Sequence, residues 1–236
     1  MIYTGMVTVV ILGALLAPLS VQTQDLSRYR DFKFGTGLPV VAKQARLKPS
    51  DAKTIHRRPA MIQELVWEAL SFTHSSPQAE SVKDILFSFY NGELFRLVVF
   101  YNQERVEGMT AEDIIGAISA KYGKASRPTL EITLSSTQQF SDGEKFYSYR
   151  NEKVIAQWED SQYSFCLFQS SAQSTYGLVA YSKRLNDQAQ VAIAEAKRLD
   201  EAEIPQREVA RKQKKDDEDR AQQEKARRTN KAPFRP

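Results

Sequence analysis

Hydrophobic and polar positions change period several times along the chain, and each change predicts an element. Tyr29 to Phe34 reads as a short strand, closed by Gly35-Thr36-Gly37. Leu38, Val41, Ala42 and Ala45 then follow the spacing of one helix face, with Pro39 in the first turn and Lys48-Pro49-Ser50 as the stop. Ile62, Leu65, Val66 and Trp67 make a strand. The clearest signal is a hairpin: Ile85 to Tyr90, the pair Asn91-Gly92, then Leu94 to Tyr101. Asn-Gly between two such runs selects a two-residue type I′ turn. That turn predicts a register in which Phe89 faces Leu94, Phe87 faces Arg96 and Ile85 faces Val98. Leu86, Phe95, Leu97 and Val99 fall on the other side. Both sides are apolar, so the hairpin is expected to be central, covered on both faces by its own chain or by a partner.

A second series follows. Thr110 caps a helix whose third residue, Asp113, reaches back in a weaker form of the capping box. Ile114, Ile115, Ile118 and Tyr122 form its buried stripe, Gly123 supplies a left-handed stop, and Pro128 enforces the exit. Strands are expected at Val154–Trp158, Tyr163–Phe168 and Gly177–Tyr181, with a further short one at Leu130–Leu134. A helix followed by three strands thus occurs twice, over about 34–101 and 108–182. Structural duplication and chance recurrence of common elements both stay open. The fold class expected is α+β: antiparallel sheet with packed helices.

Past Ser182 the pattern becomes helical. Leu185, Ala189, Ala192, Ile193, Ala196 and Leu199 share one face, which predicts an amphipathic helix over 183–204 packed on the core. Pro205 is expected to break or kink it. Residues 206–236 hold 17 charged side chains in 31 positions, too few apolar groups to bury a core. Glu208–Lys212, Asp216–Arg220 and Glu224–Arg228 are i,i+4 pairs in the favourable order, so a solvated helix is expected to about Thr229.

Charge divides the chain in the same place. Residues 25–182 carry 18 basic and 18 acidic side chains, so the net charge of +4 lies in the last 54 residues. Residues 1–24 carry no charged side chain, and Gly5 to Val21 is almost wholly apolar. This reads as a secretory signal cleaved after Val21-x-Thr23, or as an uncleaved N-terminal anchor. Export to a periplasmic or extracellular location is the expectation. No cysteine follows the apolar run, which removes lipoprotein acylation.

Candidate chemistry is sparse. The single cysteine, Cys166, sits among Tyr163, Phe165, Leu167 and Phe168 and reads as a small buried hydrophobe. His56 and His74 read as surface or loop histidines. Neither phosphate-binding glycine motif occurs, and no zinc or nucleophile-elbow pattern is present, so no cofactor is expected. Arg96 stands out among apolar strand neighbours, and Glu159-Asp160 are paired carboxylates at a turn. In the tail, Arg211, Lys212, Lys214 and Lys215 form a basic cluster. They precede Asp216-Asp217-Glu218-Asp219 with no aromatic residue between, which argues against nucleic acid. The partner expected is another envelope protein, with membrane contact only through residues 1–24 if they are retained.

The run from Val82 to Arg96, with Thr110–Gly123 and Gln157–Phe168, resembles predicted exported bacterial proteins without an assigned function. The order of elements is also similar to the β-lactamase-inhibitor-protein-like fold and to the small outer-membrane-assembly lipoproteins. The resemblance implies binding of other proteins and brings no catalytic residue. The leading expectation is a non-enzymatic protein-binding module with a sheet platform and an accessory arm. The alternative is a hydrolase of envelope polymers with a dispersed carboxylate and arginine site.

Overall fold

A computed structural model describes residues 25–69, 81–139, 145–170 and 175–231. The apolar N-terminal run, its expected cleavage point and His74 lie outside the described residues. The fold is α+β, as the pattern predicts: one eight-stranded antiparallel sheet, a two-stranded ribbon and helices on both faces.

The region expected as one N-terminal strand is a tight ribbon, β1 (Arg28–Tyr29) and β2 (Phe32–Lys33), because Arg30 takes a positive φ of 53° and reverses the chain. Helix α1 (Leu38–Gln44) follows, with Pro in its first turn. Then come β3 (Lys53–His56), β4 (Ile62–Glu68), β5 (Val82–Tyr90) and β6 (Glu93–Tyr101). A short helix α2 (Gln103–Val106) leads into α3 (Ala111–Tyr122). The second series is β7 (Glu131–Gln139), β8 (Lys145–Glu159), β9 (Tyr163–Ser170) and β10 (Thr175–Ser182). Helix α4 (Lys183–Lys231) closes the described chain.

The first series therefore has four strands where three were expected, with β3 the addition, and in the second the further short strand expected at Leu130–Leu134 is present as the longer β7. The strand order is β3-β4-β5-β6-β10-β9-β8-β7, so two meanders join edge to edge through β6 and β10. Five consecutive pairs, Phe100↔Gly177 to Arg96↔Tyr181, make that seam.

The Asn91-Gly92 turn forms with both residues at positive φ, as type I′ requires, and Phe89 pairs with Leu94. Beyond that the expected register is wrong. Ser88 pairs with Arg96, Phe87 with Leu97 and Ile85 with Val99. Phe95 is an extra residue on β6, a β-bulge that moves every later position to the opposite face. The bulge lets Leu94, Leu97 and Val99 all join the main core with Phe87 and Phe89, and it turns Arg96 away from that core.

That main core lies on one face. Leu38, Val41 and Ala42 of α1, Ile114, Ile115 and Tyr122 of α3, and Tyr29 and Phe34 at the ribbon pack on it. Thr110 and Asp113 form the expected capping box on α3. Gly123 ends the helix with φ 83° but ψ −167°, so the chain leaves in an extended direction rather than in the left-handed helical region. Trp158 is fully buried and ties β8 to this helix end, donating its indole N–H to the Gly123 carbonyl at 2.9 Å.

The opposite face carries two smaller clusters. Leu185 and Ala189 of α4 pack on Ile62 and Phe95, with Ile55, Tyr90 and Ile193 at the margin. Val98, Phe168 and Val179 form the other cluster, with Leu86, Phe100, Ile132 and Leu134 against it. Helix α4 continues through Pro205, so the break that was one of the two outcomes expected there does not occur, although proline removes one backbone donor and crowds the preceding turn.

Candidate functional site: a polar row across the sheet and the C-terminal arm

The register of the sheet places one polar side chain per strand in a single transverse row. Lys53 of β3 pairs with Glu64 of β4, and Glu64 pairs with Ser88 of β5. Ser88 pairs with Arg96 of β6, and Arg96 with Tyr181 of β10. Tyr181 pairs with Ser164 of β9, and Ser164 with Glu159 of β8. Directly paired positions share a face. The row therefore lies on the second face and separates its two apolar clusters, which explains why that face has two cores.

Arg96 is at the centre of the row. Its Nε is buried and has no hydrogen-bond partner. Burial pulls the guanidinium below its ordinary pKa, while the Glu64 carboxylate opposes that shift. Burial pushes the Glu64 carboxyl up, and Arg96 is the largest influence holding it down. The two groups thus feel each other across β5. Farther along, Gln157 donates Nε2–H to Ser164 Oγ at 3.0 Å, and Ser164 Oγ lies 3.6 Å from Cys166 Sγ. Burial raises the Cys166 thiol, which keeps it protonated and poorly nucleophilic.

Glu159 and Asp160 stand at the far end of the row and are occupied. Glu159 Oε2 accepts from Lys183 Nζ at 2.8 Å. Asp160 Oδ1 accepts the backbone N–H groups of Gln162 and Tyr163, each at 2.7 Å, and so shapes the β8–β9 turn. The Asp160 carbonyl takes Lys183 Nζ at 2.7 Å, which fastens the start of α4 to that turn. Arg96 and Glu159 are three strand steps apart, about 14 Å at the ordinary strand spacing. The structure does not bring the sequence-predicted arginine and carboxylates together. A recess of about 330 Å³ beside the turn is lined by Ser161, Gln162, Tyr163, Ser182, Arg184 and Leu185, with Phe34 and Gly35 completing it. Arg96, Glu159 and Asp160 do not line it.

His56 corrects the expectation of a surface histidine. It is 3% exposed at the end of β3, and its Nδ1 lies 4.0 Å from Asp200 Oδ2 on α4. One turn on, Arg58 pairs with Glu203. Helix α4 therefore crosses the second face and is clamped at β3, which is what covers His56. The sequence alone offered no signal for this, because the partners are more than 140 positions apart.

Beyond Glu203 the helix leaves the body. Every residue from 204 to 231 whose burial is described is exposed, a projection of about 40 Å at the helical rise. Arg211, Lys212, Lys214 and Lys215 all lie on this arm. Glu224 accepts from Arg228 at 2.6 Å, and Lys214 lies 3.8 Å from Glu218. Both are solvated pairs, each contributing a few tenths of a kcal/mol, about 0.3–0.5.

No family model, curated protein or solved structure matches the chain. Among the described residues no cluster of His, Cys, Asp and Glu has the arrangement of a metal site. No helix among them is long and apolar enough to cross a membrane.

Proposed function

We propose that the chain is an exported, non-enzymatic protein-binding module of the cell envelope. The arm of α4 is its presented surface, and the α+β body is its anchor. The observation that carries this reading is the division of labour within α4. Residues 183–203 are built into the body through Leu185, Ala189, Ala192 and Ala196 and the contacts of Asp200 and Glu203, and the residues beyond Glu203 whose burial is described are exposed. A helix polar on every side gains nothing for the body's stability. Its cost in ordering is offset where something else uses it.

The sheet platform contributes less than the sequence suggests. One face is filled by α1, α3 and the ribbon, and the other is covered at one end by α4 and at the other by Ile132 and Leu134. Export rests on the uncharged apolar residues 1–24.

The experiment is affinity capture from the envelope fraction of the native host. The chain from Gln24 is compared with a version ending at Ile204. That truncation point lies past the last clamp, Arg58–Glu203, so the body keeps its packing. A specific protein retained by the longer chain and lost by the shorter supports the arm as the binding element. A partner held equally by both moves the site to the body, and no partner for either refutes the reading.

A further inference from the structure

The recess beside the β8–β9 turn opens onto the N-terminus of α4. That helix begins at Lys183, directly after β10, so Ser182 holds the N-cap position. The first N–H groups of a helix have no carbonyl one turn back to bond. Lys183 N–H donates instead to the Gln162 carbonyl at 2.8 Å. The N–H groups of Arg184 and Leu185 come next, and both residues line the recess. An N-cap serine ordinarily accepts from one of these two groups through its side-chain oxygen. Among the described residues none makes a hydrogen bond to Ser182 Oγ.

Ser182 is nevertheless 8% exposed. The register gives the direction of its side chain. Ser182 pairs with Tyr163, and paired positions share a face. The Tyr163 ring stacks on Phe34, with centroids 5.7 Å apart and an angle of 24°. Ser182, Tyr163 and Phe34 all line the recess. The hydroxyl therefore points into it, a buried donor without a protein partner. Water can meet that hydroxyl alone. An oxyanion meets the hydroxyl, the first-turn N–H groups and the positive end of the α4 dipole together. Arg184 stands exposed at the rim. Its Nη1 donates to Gln188 Oε1 at 3.3 Å, and a guanidinium has further donors for a ligand. The nearby carboxylates are engaged elsewhere. Glu159 accepts from Lys183, and Asp160 Oδ1 accepts from Gln162 and Tyr163. The rest of the wall is apolar, and the volume of about 330 Å³ is at the small end of ligand sites, roughly 300–1,000 Å³.

We propose that this recess binds a small organic acid, a carboxylate or phosphate group carried on a flat apolar body. The oxyanion sits at the first turn of α4 against Ser182 and Arg184, and the apolar body lies against the stacked Phe34 and Tyr163. The inference goes beyond the protein-partner reading and does not depend on it, because the recess belongs to the body and the arm takes no part.

The test uses the chain from Gln24 to Pro236, labelled with nitrogen-15 and followed by its amide spectrum. The probes are benzoate and phenyl phosphate. Benzyl alcohol is the uncharged control, and acetate and inorganic phosphate carry the same head groups without a ring. The expected result is a saturable shift of the Arg184 and Leu185 amides by at least one ring-bearing acid, with a midpoint below about 10 mM. The acid that binds more tightly identifies the head group. Benzyl alcohol should leave both amides in place, and the ringless anion should bind about tenfold more weakly than its ring-bearing counterpart. No saturable shift with either acid, or an equal response to benzyl alcohol, overturns the proposal. A ringless anion that binds as tightly removes the apolar body and overturns the class of ligand.

Two variants locate the site, read at the Leu185 amide. Ser182→Ala and Arg184→Gln are each expected to weaken binding about tenfold, the loss of one hydrogen bond to a charged group. The melting temperature of each variant checks its fold. Arg184 is exposed, so its replacement leaves the packing intact and decides the matter by itself if Ser182→Ala proves unstable. Undiminished binding in Arg184→Gln, or in a folded Ser182→Ala, refutes the placement of the anion at this helix end.

Discussion

Replacement of Gly177 by alanine tests the packing that joins the two halves of the sheet. Gly177 lies on β10, paired with Phe100 on one side and Phe168 on the other. A Cβ built there would stand 2.2 Å from Phe168 Cζ and 2.7 and 2.8 Å from its Cε atoms. The ring of Phe168 lies over the glycine, with its Cζ 2.2 Å from the added Cβ, and would have to withdraw by roughly 1.3–1.8 Å to reach ordinary contact. It has little room. Phe168 is fully buried, meets Phe100 edge-on at 5.9 Å and packs with Val98 and Val179. Overpacking of this kind costs about 1–3 kcal/mol. Alanine returns about 0.5–1 kcal/mol through lower chain entropy, so a net loss of about 1–2 kcal/mol is expected. For a chain of this size 2 kcal/mol lowers the melting temperature by about 4–8 °C. Urea denaturation of Gly177→Ala should show a lower midpoint with an unchanged slope. Phe168→Leu in the same background should recover part of the loss, with a coupling of about 0.5–3 kcal/mol in the double-mutant cycle. A Gly177→Ala protein as stable as the original, or strict additivity with Phe168→Leu, would refute the argument that ring and glycine occupy one another's space.

Three further outcomes follow from the same structure. Trp158→Phe removes the indole donor and leaves the Gly123 carbonyl without it; it should destabilise the chain by about 1–3 kcal/mol, and an unchanged midpoint would mean that this bond does not fasten α3 to the sheet. Pro205→Ala restores a helical donor and should raise amide protection around 201–209, by up to about 3 kcal/mol of local stability; no change in hydrogen exchange there would show that α4 carries no penalty at Pro205. Glu64 gives a pH-dependent case. Burial raises its carboxyl above the ordinary value of 4.5, so the folded chain holds this proton more tightly than the unfolded one. Its favourable contribution is present below the ordinary carboxylate range and is lost as pH rises through the raised value. At pH 7 the charged form opposes folding, so Glu64→Gln should raise the denaturation midpoint there and leave it unchanged near about pH 4. A lower midpoint at pH 7 would show that attraction to Arg96 outweighs burial.

The elements that the sequence predicted well are those decided by neighbours in the chain. The Asn91-Gly92 turn needs only two residues that tolerate positive φ. The Thr110–Asp113 box closes within one helical turn. The amphipathic stripe from Leu185 to Ala196 and the charged arm after it are written in helical spacing. The α+β class follows from such local pieces.

Tertiary structure decided what those pieces face. The bulge at Phe95 arises because both Leu94 and Leu97 are drawn into one core, and strict alternation cannot satisfy both. That single extra residue places Arg96 opposite Ser88 and completes a polar row over seven strands. The seam between β6 and β10, about 80 positions apart, set the order of the whole sheet. His56 is buried because α4 returns across β3 to bring Asp200 near it. None of these has a local signature. Pairing partners are chosen by the burial of side chains far apart in sequence, whereas turns, caps and helical stripes are fixed by backbone preferences within a few residues.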